Sequence, residues 1–174
     1  MAIESWLPAV LGYLIPVGLF LMAWGGMAPH RARRAATLGA LALALAVLGY
    51  FAVGFAFHLG GAHVLAPDVA GLEGLGALWG PSADWGLIGL NGFFLAGEAG
   101  TPAALALFVV YLPMVSASAL LVALSLSGRA RGWQMTLAAL LTATVFFPVA
   151  ACWVWGRGWL SQLGHSANAG HGMV

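Results

Sequence analysis

The chain is short of charge. Only 6% of its 174 residues are Asp, Glu, Lys or Arg, against 62% hydrophobic. A soluble domain carries about a quarter of its residues charged. A surface of this composition cannot be kept wet, so lipid or other apolar chains must cover most of it. The net charge is +1, which gives no electrostatic case for nucleic acid. Cysteine is almost missing: Cys152 stands alone in an apolar run. That excludes an internal disulfide and any metal-type cysteine spacing. The basic start of a secretory leader is also missing, since the first charge is Glu4. The first apolar run is therefore expected to stay in the mature protein. There is no phosphate loop, no carboxylate pair within an apolar run and no zinc-type histidine spacing. No soluble enzyme activity is expected, and no metal site.

What the chain does have is long apolar runs. A span needs ~20 such residues to cross ~30 Å of hydrocarbon. Four runs qualify, at about residues 6–27, 35–59, 103–126 and 133–155. Backbone in lipid must satisfy its own hydrogen bonds, so each run is expected to be a helix. No segment alternates as a barrel strand does. The expectation is an all-α integral membrane protein, a single membrane domain over residues 1–174. The outer segment 60–102 is long and glycine-rich, and its apolar stretch 85–96 is too short to span. It reads as a re-entrant segment or a packed loop. The tail 156–174 is too polar for a complete fifth span, and its His165 and His171 sit in a glycine-rich tract. Glycines 25, 26, 39, 49 and 54 are expected to let helices approach closely.

Charge sets the orientation. Arg31, Arg33 and Arg34 lie between the first two runs, and Arg129 and Arg131 between the third and fourth. All five acids, Glu4, Asp68, Glu73, Asp84 and Glu98, lie before the first run or between the second and third. The positive-inside rule then puts the arginine loops in the cytoplasm and the N-terminus outside a plasma membrane. Arg157 is the one exception.

Several stretches resemble the ammonium transporter (Amt/Mep/Rh) family. Trp24-Gly25-Gly26-Met27 before a basic loop is similar to the end of that family's first helix. Gly49-Tyr50-Phe51-Ala52-Val53-Gly54-Phe55 resembles its G-Y-S-L-A-F-G stretch, and Asp84-Trp85 its outer-loop Asp-Trp. Trp153-Val154-Trp155-Gly156-Arg157-Gly158-Trp159-Leu160 is close to its W-V-W-G-G-G-W-L, and Arg129 and Arg131 match its cytoplasmic basic turn. The resemblance covers essentially the whole chain. It implies the first, N-terminal repeat of a fold made of two inverted five-helix halves: four spans plus the start of a fifth. Counted from the basic turn, the family's outer gate phenylalanine falls on Met114. Its aromatic vestibule tryptophan falls on Trp155, and its recruitment-site aspartate on Ala167. The first pore histidine would follow Val174.

These substitutions make a truncated, non-transporting half the leading expectation: a structural or accessory subunit whose partners are lipid and other membrane protein subunits. The alternative is an ammonium or ammonia channel, as one half or as an incomplete chain. Each residue also has an ordinary reading. Trp155, with Trp153 and Trp159, fits an interfacial tryptophan belt, and Met114 beside Pro113 fits apolar filling at a helix kink. His58 and His63 suit a haem or chlorin ligand as neutral imidazoles. Interfacial hydrogen bonding is the commoner use, so no cofactor is predicted. The arginine cluster also suits anionic lipid.

Overall fold

The computed structural model of the chain describes residues 7–81, 86–156 and 159–160. Among the described residues, three helices are long and apolar enough to cross a membrane: Arg31–Val64, Pro102–Ser125 and Gly132–Trp155. The first apolar run gives shorter pieces, α1 (Leu7–Gly12) and α2 (Leu14–Gly25). α3 (Pro29–Gly49) begins ahead of its apolar run. Pro29 sits in its first turn behind an extended Ala28, a placement that uses the missing N–H where no partner is needed. The proline, not the hydropathy, marks the start of the helix.

Two of the long helices widen locally. Tyr50–Gly54 is π-helical between α3 and α4 (Phe55–Leu59), and Thr142–Phe146 is π-helical between α7 (Gly132–Leu141) and α8 (Phe147–Trp155). The second has a visible cause. Pro148, in the first turn of α8, cannot donate to the carbonyl four residues back, and its ring crowds that carbonyl. A single π-turn just before it relieves the crowding.

The chain divides into two compact units, Met1–Tyr50 with Val109–Ala143, and Phe51–Phe108 with Thr144–Val174. In the first, α3 packs most extensively on α7 and also on α2. Its buried positions are Ala32, Ala35, Gly39, Ala42 and Ala46, continued by Tyr50 just past its end, all spaced by three or four. That is a helix seam made almost wholly of small residues, which brings backbones close where lipid supplies no hydrophobic drive. Gly39 shows the closeness: a Cβ there would lie 3.3 Å from the Phe20 ring. Gly132 packs equally tightly on Leu38. Gly25, expected to do the same, has nothing within 4 Å of its Cβ position. On α7 the buried residues are Met135 and Ala139, and Ala143 follows in the π-turn.

α6 (Pro102–Ser125) carries Pro113 in its interior. Proline cannot donate to the carbonyl of Val109. The hydroxyl of Tyr13, at the break between α1 and α2, donates to that same carbonyl at 2.9 Å. Gly12 rests on the Pro113 ring, where its Cβ would lie 3.4 Å away.

The second unit is aromatic. Phe51 meets Phe94 and Phe108 edge-on at 6.4 and 6.1 Å, Phe55 meets Phe108 at 6.0 Å, and Phe57 meets Phe93 at 5.9 Å. Such edge-to-face pairs satisfy the ring quadrupoles. The outer segment is a packed loop rather than a re-entrant helix over its described part. It holds α5 (Ala62–Leu65) and a two-stranded antiparallel ribbon, β1 (Leu78–Trp79) with β2 (Ile88–Gly89). Two short 3-10 turns follow, Phe93–Leu95 and Gly97–Ala99.

Replacing Gly39 by leucine puts four carbons into a tight point of the α3 seam. Overpacking of this kind costs about 1–3 kcal/mol. The variant should melt well below the parent in detergent, whereas Gly25→Leu should melt within a degree or two of it.

Candidate functional site

Trp155 ends α8 and is 39% exposed. The backbone beneath it is tightly set. Gly156 follows, and a Cβ there would stand 2.6 Å from the His58 carbonyl oxygen and 2.8 Å from the Cys152 Cα. Only glycine permits α4 and α8 to approach this closely. Cys152 is fully buried, with its Sγ 4.0 Å from the Gly156 carbonyl.

The neighbouring tryptophans do more than mark an interface. The Trp153 indole N–H donates to the Leu87 carbonyl at 3.0 Å, and the Trp159 backbone N–H donates to the Gly86 carbonyl at 3.1 Å. Their rings lie 5.9 Å apart. Together they pin the β2 side of the outer loop to the end of α8, and so fix the exit of the chain around Trp155. A composition-level belt reading misses this. The sequence signal was the Gly-Leu-Ile-Gly stretch, whose backbone groups need partners.

His58 is fully buried on α4, its ring edge-on to Phe147 at 6.0 Å. His63 lies on α5, half-buried, and its Nδ1 has no hydrogen-bond partner among the described residues. Its backbone N–H donates to the Leu75 carbonyl at 3.0 Å. Among the described residues no three His, Cys, Asp or Glu side chains gather as a metal site. The outer loop around His63 is held by short polar contacts. Glu73 accepts the Gly71 N–H at 2.8 Å, and backbone hydrogen bonds of this kind hold its carboxyl below the usual glutamate range. Two residues there, Phe94 and Leu95, take left-handed backbone at φ 56° and 49°. Such geometry is costly without glycine, and packing must hold it in place. Phe94 is 58% exposed, on the same aromatic surface as Phe51.

Met114 belongs to the first unit, one residue past Pro113 on α6, and is 47% exposed. Asp84, Trp85, Arg157, His165, Ala167, His171 and Val174 lie outside the described residues.

The profile of the Ammonium Transporter Family matches residues 6–174. The chain belongs to the ammonium transporter family. It is similar to the ammonium transporter Amt2 of Archaeoglobus fulgidus, 28% identical over 130 residues. That stretch is 74% of this chain and 23% of the archaeal one, so the chain covers less than a quarter of the relative's length. No solved structure matches. Family membership agrees with the helical architecture and makes this an all-α membrane-embedded protein of a transport family, not an enzyme.

Gly156→Ala should be among the most damaging single changes in this family member. The added methyl meets backbone on two sides, so neither neighbour can swing away. A loss of about 1–3 kcal/mol follows, read as a lowered melting temperature. Gly97→Ala, where a Cβ meets nothing but φ is +65°, should cost only about 1 kcal/mol from the strained backbone.

Proposed function

We propose that the chain forms one helical wall of an ammonium or ammonia pathway in the plasma membrane, with its N-terminus outside. The facing wall comes from further helices, in the same polypeptide or in a partner subunit. The observation that carries this is Trp155, at the position the family uses for its outer aromatic wall, standing part-exposed on a rigid platform of Gly156, Cys152 and the Trp153–Leu87 hydrogen bond. Family membership supports the substrate class, and the separation of arginines from acids supports the orientation. An exposed indole attracts a small cation by about 0.5–1 kcal/mol. A charged group at the bilayer centre costs at least ~2.5 kcal/mol. Trp155 can thus gather ammonium at the mouth, but an enclosed polar path or loss of the proton is needed to cross. Binding between repeats requires both repeats, so one wall alone conducts nothing.

A second reading, a non-transporting accessory subunit, draws on Met114 and Ala167, which stand where the family register calls for phenylalanine and aspartate. Both readings give the chain membrane-protein partners, and one experiment separates them. The full chain is purified together with the membrane proteins that travel with it and reconstituted in liposomes under an inward ammonium gradient. The pathway reading expects a change of internal pH that Trp155→Leu reduces several-fold, and none from the chain purified alone. An assembly that moves no ammonium would overturn transport in favour of the accessory role. A flux untouched by Trp155→Leu would remove Trp155 from the path.

A further inference from the structure

In the second unit, the strap from Asn91 to Ala99 is fixed at both ends and loose between them. Gly60 packs so closely on Asn91 that a Cβ would stand 2.7 Å from the Asn91 carbonyl oxygen. Gly92 is buried, and a Cβ there would meet the Leu75 side chain at 2.7 Å. At the far end Ala99 is buried, and Gly74 lies against the Glu98 backbone with no room for a Cβ. Between these anchors Leu95 is half-buried and the rest of residues 93–98 are exposed.

The backbone is strained where it is least covered. Gly92, Phe94, Leu95 and Gly97 take φ of 93°, 56°, 49° and 65°. Glycine adopts such angles freely, whereas Phe and Leu do so at a cost. Burial does not offset that cost at Phe94, which is 58% exposed. What its ring gains is an edge-on contact with Phe51 at 6.4 Å. The cost of a left-handed non-glycine residue and the return from one such ring pair are of the same order. Two positions of the ring, on Phe51 and away from it, are therefore close in free energy. The strap also has room to pivot, because nothing lies within 4 Å of the Cβ position of Gly97. Beneath it, Phe51 stands in the π-helical turn Tyr50–Gly54, backed edge-on by Phe108 at 6.1 Å. Single π-turns are frequent at functional sites.

We propose that this strap is a lid, closed by Phe94 on Phe51, that lifts to uncover the Phe51 ring to ammonium. An uncovered ring face attracts a small cation, so ammonium favours the lifted position. Phe94 is distinct from Met114, where the family register puts its outer gate. The choice of ammonium rests on the pathway reading above, whereas the two positions of the lid do not.

The test is fluorine NMR of the full chain in detergent, with fluorophenylalanine placed at Phe94 and, as a control away from the strap, at Phe147 on α8. Saturation transfer should reveal a second, exchanging signal at Phe94 holding on the order of 1–10% of the population, and none at Phe147. Phe51→Leu, which removes the ring partner, should raise that population about two- to tenfold. Circular dichroism melts would confirm that this variant is folded. Ammonium chloride should raise the population about two- to fivefold over sodium chloride at equal ionic strength. A single signal at Phe94, or a second one whose population Phe51→Leu leaves unchanged, would overturn the lid. An equal response to the two salts would overturn its coupling to ammonium. None of these readings uses transport, so a failed liposome flux and a failed lid are separate results.

Discussion

A proline inside a lipid-embedded helix deprives one carbonyl of its donor, and hydrocarbon has no water to replace it. In this chain the carbonyl is that of Val109, and the replacement donor is the Tyr13 hydroxyl at 2.9 Å. Much of the first unit follows from that bond. Tyr13 stands between α1 and α2 with its backbone still helical, and Gly12 lets the run lie against Pro113.

The two units solve the packing problem with different side chains. The first relies on small residues, with Ala32, Ala35, Gly39, Ala42 and Ala46 giving α3 a narrow seam against its neighbours. The second relies on large ones, with phenylalanines edge-on to each other and tryptophans tied to backbone carbonyls. Small-residue seams bring helices close and fix them. Aromatic faces leave broad, shaped surfaces such as those of Phe94 and Trp155, both part-exposed.

The spans were legible because ~20 apolar residues in lipid have few alternatives to a helix. The family was legible in the Trp153–Leu160 stretch and in the spacing of the basic turn. The start of α3 was misplaced by hydropathy because Arg31, Arg33 and Arg34 are good helix formers outside the lipid. The π-turns were invisible to periodicity, since one extra residue barely disturbs a run that is apolar on every side. The outer loop was the least legible part. Its ribbon and left-handed residues depend on contacts distant in sequence, such as Trp153 with Leu87. Tyr13 was missed for the same reason: only the pairing with Pro113, a hundred residues on, gives it a task. His58 and His63 were picked out by type, yet burial separates them, one enclosed against Phe147 and the other at the loop.

The most direct test is a double-mutant cycle on thermal stability in detergent or bicelles, combining Tyr13→Phe with Pro113→Ala. In the parent, Tyr13→Phe strands the Val109 carbonyl and should cost about 1 kcal/mol, within the ~0.6–1.7 range of buried membrane hydrogen bonds. With Pro113→Ala the helix regains its own donor, and the same change should cost much less. An equal cost in both backgrounds would contradict the account, because Tyr13 would then be held by packing alone and not by the carbonyl that the proline leaves behind.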